Sequence, residues 1–510
     1  MNWVAALSQK ENSMKSKHWT TRTRNWLVWS AGMLAVMGCD SSEDTKKETE
    51  TDSDSSNTGD AGDSEQAETT DSDSPPWESG VADAYSTVER TEIGIVPFNP
   101  DTVLEYHVIM DPDLYEEMEN YGDDEIYRPI SLQVRGDGVS EDYARVGLRY
   151  KGDYSLHHCW RDYGSRNFSG ECAKLSMKIK FDEYDEAGRF FGLKKINLHA
   201  MSEDDTKLRE RLAYSVFNAF GVETARTAHA KLIINDEAPI LVLAVEQIDG
   251  RFTAYRHQES GDGNLYKEVW PSDSLTESAV LPQLRTNDQP EDNPDVSDFI
   301  AFGNAVAAAD EDSFLEDMAE WIDVEQIIRY MAVDRAFKNW DGITAFYWQE
   351  RPHNNYWYLD NTESAVYQLI PWDHDKTMWE YDPYMDPDHN TADRPVPDWN
   401  VLPSSCDPIW VWYHEVVVYP PGCDHFTNLL AATSWDAFVT AGNALLETSL
   451  RYEAMDEKVT AWAEQIADVV DEDPLINQST WQSNVESFRA ILQKAIDEFE
   501  AHLEEGYIVE

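Results

Sequence analysis

The chain has 510 residues, long enough to bury a large core, and carries 40 basic against 98 acidic residues for a net charge of −58. Such an acidic molecule repels nucleic acids and anionic membrane surfaces, so we expect neither as a general partner. Its 19 Trp and 24 Tyr residues exclude a wholly disordered chain.

Residues 1–39 have the pattern of an export signal. Basic residues precede an apolar run at 26–37, which is too short to span a membrane and ends in Gly38-Cys39. A small residue directly before a cysteine resembles a bacterial lipoprotein signal, with Met14 as a plausible true start and Cys39 as the lipidated N-terminus. An ordinary secretory signal is the alternative. We expect an exported envelope protein that meets the membrane only through the lipid on Cys39.

Residues 40–85 predict a disordered acidic linker. Ser, Thr, Asp and Glu dominate this segment, and almost no apolar residue precedes Trp77. Because such a composition cannot bury enough surface to fold, we expect a solvated tether.

Four cysteines remain when Cys39 is set aside, an even number that suits an oxidising compartment. Of the three possible pairings, we favour Cys159 with Cys172 and Cys406 with Cys423, because each closes a loop rich in Gly, Pro, Ser or charge. Zinc is the alternative, but the close-spaced ligand pairs of a zinc site are missing.

Strand patterns dominate residues 90–275. Alternating apolar positions predict strands at 103–110, 130–134, 144–150, 174–181, 228–234 and 240–245. Helices are predicted at 112–121 and from about Thr206 to Phe220, where Gly221 ends the second one.

Two of these strands carry cationic side chains. The strand at 174–181 alternates apolar residues with Lys174, Ser176, Lys178 and Lys180, which form either a solvent-facing edge or part of a site. The strand at 144–150 runs into Lys151-Gly152, where Arg149, Lys151 and backbone N–H groups could hold phosphate oxygens.

Helical periodicity takes over from Ser297 onward. It predicts helices at 300–309, 313–320, 324–337, 435–451, 452–470 and 480–503. The last three predict a supporting helical subdomain at 431–510.

The segment from Asp334 to Asp375 places Asp and Asn side chains between aromatic and apolar runs. Carboxylates beside apolar walls are costly unless they are paired or bind a metal. Oxygen ligands without cysteine, and with one well-placed histidine, suit Mg²⁺, Mn²⁺ or Ca²⁺ rather than zinc. We therefore expect the chemistry here.

Short motifs follow one another in order between about residues 95 and 385. They are Arg149-Tyr150-Lys151-Gly152, Leu208-Arg209-Glu210-Arg211-Leu212-Ala213 ahead of Phe220-Gly221-Val222, Val245-Glu246-Gln247-Ile248-Asp249, Leu265-Tyr266-Lys267, Asn339-Trp340-Asp341 and Pro371-Trp372-Asp373. Together they resemble the CotH family of spore-coat-protein-H-like proteins. The resemblance implies an α+β, diverged protein-kinase-like, two-lobed fold, with a β-rich N-terminal lobe carrying one helix at 90–275 and a mainly helical C-terminal lobe at 276–430.

The resemblance also implies a function, namely metal-dependent transfer of phosphate from ATP to Ser or Thr of an envelope or secreted protein, with Mg²⁺ or Mn²⁺. It makes Asp373 the metal ligand and Asp341 the catalytic base. Asn355 is a candidate second metal ligand, and Asp375 is placed to assist Asp373.

Asp334 is the rival for the base, because Asp334 and Asn339 have the Asp-x-x-x-x-Asn spacing of a protein-kinase catalytic loop. If the helix that begins near Val324 continues to Phe337, Asp334 lies inside it and can pair with Lys338. We therefore favour Asp341.

On the nucleotide side, the resemblance implies that Lys178 is the phosphate cation and pairs with Glu210, with Lys174 as the rival lysine. Arg149 and Lys151 are expected to contact the phosphates. The hinge that carries the adenine is assigned to Glu246 and Gln247.

Two alternative functions stay open. The first is a catalytically inactive kinase-like module for adhesion or scaffolding, because an exported protein meets little ATP. The second is structural Ca²⁺ bound by the acidic loop at 380–390, which lacks the Gly and spacing of an EF-hand and is otherwise a solvated loop.

Overall fold

The computed structural model describes residues 88–152, 154–160, 166, 168, 170–287, 289, 293–347, 351–378, 398–408, 410–411 and 417–510. The predicted signal with Cys39, the acidic linker and the 380–390 loop lie outside these residues. Within the described ranges, no helix is both long enough and apolar enough to cross a membrane.

Seven strands close into a barrel in the order β1-β2-β3-β4-β5-β7-β6. They are β1 (Leu104–Ile109), β2 (Arg128–Gly136), β3 (Val139–Tyr150), β4 (Met177–Lys180), β5 (Lys195–His199), β6 (Thr227–Ile234) and β7 (Ile240–Glu246). Neighbours are antiparallel except β1 and β6, which pair in parallel and close the barrel. The mixed helix and strand content agrees with the predicted α+β class.

The barrel interior is apolar because alternate residues of each strand face inward. On β4, Met177 and Ile179 join the interior cluster, as their alternation predicts. Lys178 lies on the outer face, in a row with Arg149 of β3 and Asn197 of β5. The solvent-facing interpretation of this lysine face is wrong, because other parts of the chain cover it. Lys174, Lys178 and Lys180 are 8%, 3% and 9% exposed, respectively.

The helices of the described chain are α1 (Pro112–Tyr121), α2 (Tyr154–Trp160), α3 (Arg209–Ala219), α4 (Gly250–His257), α5 (Glu277–Val280), α6 (Ser297–Ala308), α7 (Phe314–Met318), α8 (Val324–Ala336), α9 (His425–Glu447), α10 (Tyr452–Glu472) and α11 (Gln478–His502). Most lie near their predicted positions. The helix predicted at 435–451 begins earlier, at His425, because Asp424 caps it by accepting the Thr427 N–H at 2.8 Å.

Smaller sheets complete the fold. One has the order β12-β11-β8-β9, from β8 (Asn264–Lys267), β9 (Leu284–Thr286), β11 (Asn355–Leu359) and β12 (Gln368–Pro371). A three-stranded sheet joins β10 (Phe346–Tyr347), β15 (Val417–Tyr419) and β14 (Trp410–Val411), and β13 (Val401–Leu402) pairs with β16 (Ile508–Val509). The two predicted disulfides, Cys159–Cys172 and Cys406–Cys423, are confirmed.

A second apolar cluster covers the outer face of the barrel and fixes helix α3. It joins α3 and β7 to α8, β11, β12 and the C-terminal helices α9 to α11. Polar contacts add to this packing, since Trp481 Nε1 donates to the Thr206 carbonyl at 2.8 Å and Arg211 binds Gln465 at 2.8 Å. The C-terminal helices therefore hold α3 in place, and α3 carries one side of the candidate site.

A carboxylate-rich candidate active site

The first turn of α3 presents Glu210 to the site. Asp204 prepares this turn by accepting hydrogen bonds from the Thr206 N–H at 2.9 Å and the Arg209 N–H at 2.8 Å. Tyr214 follows Glu210 by four residues, so both side chains lie on the same face of the helix. This face points toward the loop that follows β12.

Lys151, His199 and Glu210 form a hydrogen-bonded chain between the barrel and α3. The distance from Lys151 Nζ to His199 Nε2 is 2.7 Å, and that from His199 Nδ1 to Glu210 Oε1 is also 2.7 Å. Because a lysine ammonium only donates, His199 Nε2 accepts and the proton on Nδ1 is donated to Glu210. Burial raises the pKa of Glu210 to about 8, although the charge of Lys151 opposes the rise.

Asp373 faces this chain from the loop after β12. Its backbone N–H donates to the Tyr214 hydroxyl at 3.0 Å, and its φ of +55° lies in the left-handed region. The neighbouring Trp372 ring lies below Lys151, whose Nζ is 5.5 Å from the ring centre. Next in the chain, buried His374 stacks on Phe217 of α3 with ring centres 4.8 Å apart. These contacts fix the loop against α3.

Asp341 lies in the turn after α8 and is held on both sides. The Tyr347 hydroxyl donates to Asp341 Oδ1, and Asn354 Nδ2 donates to the Asp341 carbonyl at 2.9 Å. Asn354 also accepts from the Trp372 N–H at 3.1 Å, which links the turn of Asp341 to the loop of Asp373. Burial, with a further contribution from Asp373, raises the pKa of Asp341 to about 7.

The carboxylates repel one another, and this arrangement fits a cation. Burial raises the pKa of Asp375 well above its usual range, and the charges of Asp373, Glu210 and Asp341 raise it further. Asn355 begins β11 directly opposite Pro371, and its buried Oδ1 has no hydrogen-bond partner among the described residues. Carboxylates that crowd around one region, beside a free amide oxygen, are a suitable donor set for Mg²⁺ or Mn²⁺.

Asp334, the rival base, lies inside α8 and is fully buried. Arg335 Nη2 donates to its carboxylate at 2.6 Å and Asn339 Nδ2 donates at 3.0 Å. The predicted pairing with Lys338 is wrong, because Lys338 forms an ion pair with Glu498. Asp334 therefore joins the end of α8 to the turn that leads to Asp341, and its carboxylate is already bound.

Two predicted phosphate contacts have other partners in the structure. Lys174 Nζ donates to the Leu241 carbonyl and lies 3.2 Å from Asp473, so it joins the barrel to the C-terminal helices. Arg149 is buried and pairs with Glu125. Lys178 lies on the barrel face beside this site. Burial lowers the pKa of His199, and the charges of Lys151 and Lys178 lower it further.

The predicted hinge residues lie at the end of β7. Glu246 is bound by two arginines, with Arg226 Nε at 3.0 Å and Arg256 Nη2 at 3.1 Å from its Oε2. Gln247 is buried and its Nε2 donates to the Ile248 carbonyl at 3.2 Å. The Glu246 carboxylate is therefore already bound by two arginines. The contact of this hinge with adenine stays a prediction.

Sequence reasoning missed His199, Tyr214 and Tyr347. His199 takes the place beside Glu210 that was assigned to Lys178, and its position two residues after Asn197 on a strand put it on the same barrel face as Lys178. Tyr214 was signalled by its spacing from Glu210 on the predicted helix. Tyr347 had no comparable signal.

The comparisons with known proteins identify the family of the chain. The family model described as "CotH kinase protein" matches residues 148–502, so the chain belongs to this family. The match starts later than the predicted resemblance and extends through the C-terminal helices. The inner spore coat protein H of Bacillus subtilis (strain 168) is 25% identical over 283 residues, covering 53% of this chain and 68% of that protein.

Among solved structures, the Shewanella oneidensis MR-1 toxin–antitoxin complex of HipA, HipB and operator DNA contains a similar chain. It is 10% identical and covers 76% of this chain and 80% of its own length, with a TM-score of 0.28. A likeness this weak carries no argument about the fold.

Proposed function

We propose that this protein is an atypical kinase that transfers phosphate from ATP to a Ser or Thr hydroxyl of an envelope or secreted protein. The observation that carries the proposal is the convergence of Asp341, Asp375 and Glu210 on Asp373, beside the cation of Lys151. Family membership supports it, because the family is described as kinase proteins.

Asp341 is the base of the proposed reaction. Its pKa of about 7 means that a large fraction is ionised near neutral pH and that the carboxylate still has appreciable affinity for a proton. The Tyr347 hydroxyl binds one of its oxygens and so fixes the direction of the other. In this role Asp341 accepts the proton of the acceptor hydroxyl as the phosphoryl group arrives.

Lys151 is the cation for the nucleotide phosphates, positioned by the chain through His199 to Glu210. Asp373, Asp375 and Asn355 would hold Mg²⁺ or Mn²⁺, which would neutralise phosphate charge. The barrel with α3 would act as the N-terminal lobe of a kinase-like fold, and the region from α6 onward would act as the C-terminal lobe. An anchor on Cys39 would place the enzyme at the cell envelope.

The test separates metal binding from proton transfer. ATP binding with Mn²⁺ is measured by calorimetry, and transfer of radiolabel to a Ser-rich acceptor is measured in parallel. For Asp373→Asn, which tolerates the left-handed backbone, we expect both signals to disappear. For Asp341→Asn, we expect ATP binding to persist and transfer to fall by about 10²-fold or more.

Asp236→Asn on the exposed β6–β7 turn is the matched control and should behave as wild type. Folded wild-type protein that binds no ATP would overturn the proposal and leave the adhesion or scaffolding module as the working function. Labelling that survives in Asp341→Asn would remove Asp341 from its role as the base.

A further inference from the structure

Three atoms of the kinds that bind metal ions converge where β5, α3 and the loop after β12 meet. One nitrogen of His199 and one carboxylate oxygen from each of Glu210 and Asp373 all lie within 4.8 Å of one another. Ligand–metal distances of about 2.0–2.2 Å place two ligands of one ion up to about 4.4 Å apart. Small side-chain movements therefore suffice for a single ion to bind all three.

A second observation points to a ligand at this position. Glu210 is 1% exposed, and its Oε2 has no hydrogen-bond partner in the described part of the chain. A buried carboxylate oxygen without a partner is costly, because it has lost its water without gaining a replacement. A cation bound by Glu210 and Asp373 would supply the missing interaction.

The donor set selects the kind of metal. Mg²⁺ takes oxygen ligands and keeps most of its water, whereas imidazole nitrogen suits first-row transition metals. The set of Asp373, Asp375 and Asn355 offers only oxygen ligands, so it does not favour a transition metal over Mg²⁺. The set of His199, Glu210 and Asp373 adds an imidazole nitrogen, which favours a transition metal.

We propose that His199, Glu210 and Asp373 form a binding site for a first-row transition-metal ion, which the protein takes up without nucleotide. The proposal does not rest on phosphoryl transfer, because it concerns the protein and the metal alone. The site shares Asp373 with the proposed kinase centre and differs from it by the imidazole ligand.

Metal binding at this site changes the partner of Lys151. The Nε2 side of His199 faces the ammonium of Lys151, so Nδ1, which faces Glu210, is the coordinating nitrogen. The neutral imidazole keeps its one proton, which moves from Nδ1 to Nε2. Nε2 then no longer accepts from Lys151, so the ammonium loses this hydrogen bond while it stays above the Trp372 ring. Transition-metal uptake thus removes one hydrogen bond of the lysine.

The test uses the purified protein without nucleotide and titrates it with Co²⁺ alone and with Mg²⁺ alone by calorimetry. We expect Co²⁺ to bind at least about 10-fold more tightly than Mg²⁺. His199→Gln should weaken Co²⁺ binding by about 10- to 100-fold and leave Mg²⁺ binding unchanged. A Mn²⁺-loaded sample should show ¹⁴N coupling in pulsed electron paramagnetic resonance, and His199→Gln should lose it.

His107→Gln is the matched control, because His107 lies on β1 and hydrogen-bonds the Asn235 carbonyl at 2.9 Å. It should bind Co²⁺ as wild type does. If His199→Gln does not fold, Glu210→Gln removes a ligand that the set of Asp373, Asp375 and Asn355 does not share, and it should weaken Co²⁺ binding. Equal affinities for Co²⁺ and Mg²⁺, unchanged Co²⁺ binding in the ligand variants, or no Co²⁺ binding by folded wild type would each overturn the proposal.

Discussion

Glu246 at the end of β7 and Glu210 on α3 are both buried glutamates, with 0% and 1% of their surface exposed. Their pKa values are nevertheless shifted in opposite directions. Burial alone raises the pKa of either group. For Glu246, Arg226 and Arg256 more than reverse this rise and lower the pKa to about 2. For Glu210, burial prevails, because Lys151 only partly opposes it and Asp204 adds to it, and the pKa is about 8.

Glu246 is a buried carboxylate that stabilises the fold, whereas Glu210 is a buried carboxylate that can bind a ligand. Glu246 is satisfied by two guanidinium groups, which keep its carboxylate ionised until the pH falls to about 2. Glu210 has one hydrogen bond and one oxygen without a partner in the described residues. A carboxylate left this incomplete beside other carboxylates is poised to bind a cation or a proton.

The largest expected effect on stability comes from replacing Glu246. Glu246→Gln leaves Arg226 and Arg256 without their counter-charge, and we expect it to lower the free energy of unfolding by about 3–5 kcal/mol at pH 7. Urea denaturation measures this change. Glu259→Gln, at an exposed position in the turn after α4, is the control and should change stability by less than about 0.5 kcal/mol.

The same variant should also change the acid limb of the stability curve. The folded pKa of Glu246 lies below its unfolded value, so its contribution is present above pH 4.5 and is lost as the pH falls toward about 2. The loss amounts to about 3 kcal/mol. If Glu246→Gln and wild type lose stability in parallel over this range, the arginines do not hold the carboxylate as described.

Glu210→Gln should show the opposite dependence on pH. The folded pKa of Glu210 lies above its unfolded value, so its contribution is present below pH 4.5 and is lost as the pH rises through about 8. In the presence of a chelator, we expect wild type to lose about 3 kcal/mol relative to Glu210→Gln between pH 5 and 8. Urea denaturation at several pH values measures this difference, and a constant difference would contradict the comparison.

The two glutamates also show what the sequence could predict. Periodicity located the strands and helices that carry Glu246 and Glu210, because side-chain alternation is a local property. It could not show that Arg226 and Arg256 meet Glu246, since those contacts depend on how β6, β7 and α4 pack. Nor could it show barrel closure, which pairs β1 with β6 across a long stretch of chain.

In the candidate site, the residue types in the sequence indicated a cation site, but the sequence did not show which side chains contact one another. The Asp and Asn residues between Asp334 and Asp375 indicated a cation site, and the structure brings Asp341, Asp373 and Asp375 together. The partner of Glu210 was missed because His199 and Lys178 lie on one face of adjacent strands, and the sequence alone does not decide which of them reaches α3.

The smallest predicted effect concerns the contact that ties Glu210's helix to Asp373. Tyr214→Phe removes the hydroxyl that accepts the Asp373 N–H, and we expect a loss of about 1 kcal/mol in stability. Because the amide of Asp373 then lacks its partner, it should exchange faster with solvent in hydrogen-exchange measurements. Tyr121→Phe, at an exposed position, is the control. Identical exchange in both variants would mean that the loop holds Asp373 without α3, and Glu210 and Asp373 would then be neighbours without being coupled.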